Sequence, residues 1–202
     1  AEVTFTVLTH PDVPVKNLQE LFAYAKANPD KLAIATDGPR RFSGMIAAWL
    51  NKLGGTNISY VPYTQMTQGL QDVIAGRVQL LILAFPAAKG LVASGKLRAL
   101  AVKSPKRMAE LPDVPAVAET FSGFDFAGWW VLATPTGVPA DIVARVNREM
   151  DGIMKDPEVV GRLESAGFKT RGGGTLKEVN DFVQGQHMAW GTLVREIGLK
   201  TE

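Results

Sequence analysis

The sequence predicts an α/β fold with mostly parallel sheets flanked by helices. Short apolar runs of strand length recur at residues 32–36, 58–61, 78–83 and 97–102. Amphipathic stretches of helical length lie between them, joined by short polar connections. Such alternation signals βαβ units with right-handed crossovers. The run VQLLIL at 78–83 is almost wholly apolar, as expected of a strand covered on both faces of a parallel sheet.

Each element has its own local reason. Residues 3–9 are β-branched and aromatic and read as one strand, broken by HPDVP at 10–14. Residues 16–28 form an amphipathic helix with Leu18, Leu21, Phe22 and Ala25 on one face, ended by Pro29-Asp30. Residues 31–55 read as strand, tight loop and helix, the helix carrying Met45, Ile46, Trp49, Leu50 and Leu53 and stopped by Gly54-Gly55. Helices at 67–75 and 87–93 separate the next strands. From Arg107 the chain is Pro-punctuated and reads as a connection between subdomains. A strongly apolar strand follows at 127–133, with Trp129 and Trp130 on opposite faces, one for the core and the other for a cleft. Helices at 142–154 and 157–165, a short edge-like strand at 167–170 and a last helix at 176–197 complete the chain. Thr175 is the N-cap candidate of that last helix.

In parallel sheets ligands sit beyond the carboxyl ends of the strands. That singles out the loops at 37–42, 62–67, 84–87 and 103–107. The first of them carries turn chemistry in Asp37-Gly38-Pro39 and two adjacent cations, Arg40 and Arg41. It opens a helix whose first N–H groups and positive dipole end suit an anion. Arginine adds a fork that grips a carboxylate through two parallel hydrogen bonds.

Composition narrows the classes. The chain has 202 residues, 46% of them hydrophobic and 21% charged, with a net charge of +2. It has no dense basic run, which disfavours nucleic acid. Without cysteine there is neither a disulfide nor a thiolate metal site. No apolar run reaches membrane-spanning length, and the N-terminus lacks the pattern of a signal peptide, as in a mature exported form or a chain never exported. Catalytic and cofactor motifs are missing: neither a G-x-S-x-G elbow nor G-x-G-x-x-G nor a P-loop occurs. His10 and His187 lie far apart and in no metal-ligand spacing, Gly172-Gly173-Gly174 reads as a turn, and Glu149 and Asp151 read as solvated helix residues. No cofactor and no metal is expected, and a binding protein fits better than an enzyme.

Three long runs carry a resemblance: VPYTQMTQGLQDVIAGRVQLLI at 61–82, SGKLRALAVKSPKRMAELPDVPAVAET at 94–120 and WWVLATPTGVPADIVARVN at 129–147, with DPEV at 156–159. Together they resemble the substrate-binding proteins of the tripartite tricarboxylate transporters, the Bug family. The resemblance implies a periplasmic-binding-protein-like two-lobed fold that closes on a small carboxylate and delivers it to membrane permease subunits. It implies a second lobe at 13–124, with residues 1–12 and 125–202 forming the hinge strands, which cross at 5–9 and 127–133, and the C-terminal part of the first lobe. It also implies a periplasmic location. The family pattern starts well before the match does, so the first lobe is expected to be incomplete and to self-associate through its uncovered face.

This sequence departs from the pattern at Arg40, where the family has a small Gly, at Gly44, where it has His, and at Gln79, where an acid is common. Thr36, Gly38, Arg40, Arg41 and Ser43, with the Tyr63-Thr64-Gln65 turn and Phe85, are the expected carboxylate-binding residues. Two alternatives remain open: a ligand-sensing effector lobe of a regulator, and a fragment with weak or no ligand binding.

Overall fold

The computed structural model describes residues 1–104, 106–121, 128–165, 168–170 and 172–199. The chain opens with β1, Glu2–Val3, and continues with β2, Phe5–Thr9. Residues 3–9 are therefore not one strand. The two halves join different sheets, and the Thr4 carbonyl at the crossing accepts from the Phe85 N–H at 2.9 Å. Helices and strands then alternate: α1 Leu18–Ala27, β3 Ala33–Thr36, α2 Phe42–Gly54, β4 Ser59–Pro62, α3 Met66–Ile74, β5 Leu80–Ala84, α4 Phe85–Ala93 and β6 Arg98–Lys103. A short α5, Val117–Thr120, is followed by β7 Gly128–Trp129, α6 Ala140–Ile153, α7 Pro157–Ser165, β8 Phe168–Lys169 and α8 Leu176–Glu196.

The larger sheet has the order β4-β3-β5-β2-β6. Strands β3, β4 and β5 are parallel, whereas β2 runs antiparallel to both β5 and β6. The sheet is mixed, because β2 enters from outside the βαβ series and has no helix to turn it round. Four strands nevertheless share one direction, so their carboxyl ends share one edge. The smaller sheet, β7-β1-β8, is antiparallel throughout.

The pleat of the larger sheet sorts its core. Val7, Ile34, Leu80 and Ile82 face α1 and α2, with Leu18, Leu21, Phe22, Ile46 and Leu50 packed on them. Their neighbours Leu8, Ala35 and Leu81 face the other way, toward Val73 and Ala88 of α3 and α4. Alternate residues of a strand point to opposite faces, and both faces here are covered by helices. The Asn17 side chain caps α1 by accepting from the Glu20 N–H at 2.9 Å, and the Glu20 carboxylate accepts from the Lys16 N–H at 2.7 Å. Gln79 straps the opposite edge: its Oε1 accepts from the Ala33 N–H at 3.1 Å and its Nε2 donates to the Gly76 carbonyl at 3.1 Å. An ionised acid there has no donor for the second bond.

Around the small sheet the packing is thin. Neither α6 nor α7 has a buried residue. Helix α8 begins beside this sheet, where the Trp129 Nε1–H donates to Gln186 at 3.0 Å and its ring meets Phe182 edge-on. It ends elsewhere. Leu193 is buried in the core of the larger sheet, with Ala189, Trp190 and Ile197 beside it, and the Lys52 ammonium donates to the Glu196 carbonyl. Full burial of a leucine is worth about 2 kcal/mol, so Leu193 anchors the helix end to the larger unit. The expected strand at 127–133 shrinks to β7, since residues 130–133 are not strand: β1 offers two residues, and the Trp130 N–H turns to the Ala1 carbonyl. The lobe boundary expected at 124/125 lies outside the described residues.

One buried side chain closes the α2–β4 connection. Asn51 donates to the Ile58 carbonyl and the Tyr60 hydroxyl, and accepts from the Ile58 N–H and the Thr56 hydroxyl, all at 2.8–2.9 Å. The Asn51→Ala variant leaves the buried Ile58 groups without partners and is expected to lose about 3 kcal/mol of stability, read from urea unfolding midpoints.

Candidate functional site

The shared carboxyl edge of the larger sheet gathers the ends of four strands: Thr36, Pro62, Ala84 and Lys103. Because β2 is antiparallel, its first residue, Phe5, also lies there, opposite Ala84 and Lys103. Helices α2, α3 and α4 all start from this edge. Their first N–H groups and positive dipole ends point the same way, which favours negative charge.

The loop before α2 is tightly built. Asp37 and Ser43 bind reciprocally: the Asp37 N–H donates to Ser43 Oγ at 2.8 Å, and the Ser43 N–H and hydroxyl donate to Asp37 Oδ1, the first at 3.2 Å. An internal carboxylate therefore occupies part of this helix N-terminus. Ser43 is buried, and both its polar groups are taken by Asp37, so it shapes the loop instead of offering groups to a ligand. Gly38 has φ +122, and its carbonyl accepts from the Arg41 N–H at 3.1 Å. That carbonyl presses on Gly44, where any Cβ would lie 2.0 Å from it. Glycine at position 44 is what lets the loop fold onto its own helix. Arg40 and Arg41 ride on the outside of this turn, exposed.

Of the other expected residues, some lie on the same edge and some have inward duties. Thr36 is buried, and its carbonyl accepts from the Tyr63 N–H at 2.8 Å, which sets the 63–65 turn beside the arginine loop. Thr64 and Gln65 are exposed there. The Tyr63 hydroxyl turns away to donate to Asp72 at 2.6 Å, its ring lying against Gly69. Burial, then the bond to Asp72, raises the phenol pKa, while hydrogen bonds from Tyr63 and Arg77 hold the Asp72 carboxyl below its usual range. Phe85 is a core residue, packed with Val102, Met108 and Ala116. Tyr63 and Phe85 therefore supply backbone position at the edge, and their side chains serve the lobe.

Lys103, at the end of β6, escaped the list of candidate residues, though the loop it begins did not. It is 4% exposed. Its ammonium lies 4.3 Å from the centroid of the Phe42 ring and 5.5 Å from that of Trp190. Phe42 also packs on Phe5 at 4.3 Å and on Trp190 at 5.6 Å. Just beyond, Arg107 grips Glu119 through Nε and Nη2, the latter at 2.8 Å, and this pair lowers the Glu119 carboxyl to about 2.

The remaining candidates stay outside the edge. The exposed His187 lies mid-way along α8, and His10 accepts from the Asp12 N–H. Asp151 is not merely solvated: it binds Lys155 at 2.6 Å and accepts from the Gly173 N–H at 2.9 Å, fixing the glycine turn against α6. Trp130 is 69% exposed, Trp129 half-buried. Among the described residues no group of His, Cys, Asp or Glu is placed to hold a metal ion, and no helix is long and apolar enough to cross a membrane.

A family described as "Tripartite tricarboxylate transporter family receptor" matches residues 1–199. The chain belongs to this receptor family. Among curated relatives it is 30% identical over 197 residues to the "UPF0065 protein in tcbD-tcbE intergenic region" of Pseudomonas sp., covering 96% of this chain and 58% of that protein. To Protein BugT of Bordetella pertussis it is 27% identical, over 98% of this chain and 61% of that one. The chain therefore spans well under two thirds of these receptor sequences. Two solved structures, Rpa4515 of R. palustris with adipate and the periplasmic binding protein BugD, each superpose with a TM-score of 0.85. Their identities are 27% and 26%; the matches cover 98% and 100% of this chain and 66% and 68% of theirs. MatC from Rhodopseudomonas palustris with bound malate gives 0.79 at 25% identity, over 96% of this chain and 67% of its own. The receptor fold is thus that of the two-lobed periplasmic binding proteins, as the residue pattern implies.

The contact between Gly38 and Gly44 is the weakest point of the loop to perturb. In Gly44→Ala the added methyl drives the Gly38 carbonyl off the helix. Stability is expected to fall by about 3 kcal/mol, with the Arg41 amide losing its protection from hydrogen exchange.

Proposed function

We propose that this chain is the solute-binding part of a tripartite tricarboxylate-type uptake system, binding a small carboxylate at the carboxyl edge of its larger sheet. The observation that carries the reading is the exposed pair Arg40 and Arg41, set on the turn that opens α2 at the sheet edge from which α3 and α4 also start. Two guanidinium forks there suit a carboxylate at one or both ends. Thr36, Gly38, Thr64 and Gln65 complete this half of the site, Ser43 holding the loop and Tyr63 and Phe85 the edge. Family membership supports the reading, as do the relatives solved with adipate and with malate.

The chain acts by binding and handing over, not by chemistry. It works in the periplasm and passes its ligand to membrane permease subunits. The crossing at Thr4 and the seat of α8 are the joints of its closure. The apolar residues left open around the small sheet, Trp130, Leu132, Ile142, Ile153 and Met188, are each more than 45% exposed and support association between copies of this chain.

Calorimetry with adipate and with malate tests the site. Arg40→Ala and Arg41→Ala are each expected to weaken binding about tenfold, the loss of one charge-assisted bond; affinity unchanged in both variants removes the arginines from the site. Light scattering tests the second point. A dimer or larger species is expected, and a monodisperse monomer defeats self-association.

A further inference from the structure

We propose that Asp37 is a specificity-determining residue of this site: a fixed carboxylate at the start of α2 that biases the carboxyl edge toward acids of low charge, disfavouring tricarboxylates relative to dicarboxylates. The inference rests on the reading that this edge takes a carboxylate.

The loop sets its place. Asp37 directly follows Thr36, the last residue of β3, and α2 begins at Phe42. The Asp37 Oδ1 accepts from the N–H and the hydroxyl of Ser43, the second residue of α2, and the Asp37 N–H donates to Ser43 Oγ at 2.8 Å. The carboxylate is thereby held against the first turn of the helix. The residues proposed to bind a ligand in this loop, Gly38, Arg40 and Arg41, lie between Asp37 and its partner Ser43 in the chain. Their turn is closed as well, by the Arg41 N–H donating to the Gly38 carbonyl at 3.1 Å. An anion held by this loop therefore shares it with the charge of Asp37.

That charge is not what the turn requires. The side-chain bonds to Ser43 all use Oδ1, and Oδ2 takes no part in them. Asparagine offers the same acceptor as a neutral amide and serves at helix starts as well as aspartate does. The two other helices that start from this edge do without an acid: neither α3 nor α4 has an acidic residue in its first turn or a side-chain cap. The effect on a ligand follows from Coulomb's law. Repulsion by a fixed carboxylate grows in proportion to the ligand's charge, and it offsets part of the attraction of the helix N-terminus. A third carboxylate on the ligand meets more of this repulsion than a second.

A loop strut and a charge selector respond differently to a neutral isostere. The test compares the parent chain with Asp37→Asn, using thermal unfolding and calorimetry with malate and with citrate at low and high salt. The variant is expected to unfold within about 3 °C of the parent. At low salt it is expected to bind malate about threefold and citrate about tenfold more tightly than the parent does, and both gains are expected to shrink at high salt. No change, a change by the same factor for the two acids, or weaker binding of both overturns the role of Asp37 and leaves the carboxylate reading intact. Failure of parent and variant to bind either acid overturns both. Where Asp37→Asn does not fold, Asp37→Ser, another capping type, takes its place and the same ratio of affinities decides.

Discussion

Strand β2, inside the larger sheet next to its β6 edge, is the constraint on which the rest depends. It is hydrogen-bonded on both sides, to β5 and to β6, and runs against both. An antiparallel strand in that place has its first residue where its neighbours have their last. Phe5 is thereby brought to Ala84 and Lys103, and the crossing from the small sheet lands at the carboxyl edge. The chain changes sheets at the place where a ligand would be held.

The electrostatics of that edge are set by a competition inside the loop. Helix α2 offers its N-terminus, but Asp37 is already there, bound to the Ser43 amide and hydroxyl. The positive end is thus partly neutralised before any ligand arrives. Three residues of this unit have duties that the geometry makes plain. Gly44 admits the Gly38 carbonyl, the tightened turn projects Arg40 outward, and Gln79 satisfies a donor and an acceptor at the far edge with one neutral side chain.

The two ends of α8 show how unevenly the molecule is packed. Its beginning, with α6 and α7, lies beside a small sheet and leaves large apolar side chains in contact with solvent. Its end is locked into the core of the larger sheet through Leu193. The larger unit therefore carries the stability, and the small sheet is attached to it through β1, β7 and one long helix.

The alternation of elements was legible in the residues because it depends on local terms: apolar period, a cap at Thr175, and stops such as Gly55. The candidate loops were legible too, since ligands gather at strand carboxyl ends whatever the side chains do. Individual roles were not. Ser43, Tyr63 and Phe85 belong to types that bind ligands, yet each meets a partner decided by folding: Asp37 across the turn, Asp72 one helix away, and a core that includes Met108. A hydroxyl or a ring serves whichever partner geometry brings within reach, and periodicity says nothing of that.

By itself the sequence determined an α/β protein of the tripartite tricarboxylate receptor type, with two arginines on a turn at the carboxyl edge of its strands. Tertiary structure alone decided that residues 2–9 are shared between two sheets, that β2 runs against its neighbours, and that Lys103 lies buried between Phe42 and Trp190. The reason is physical. Secondary structure follows from interactions a few residues apart, whereas strand direction and the surroundings of a buried charge arise from contacts between segments far apart in the chain.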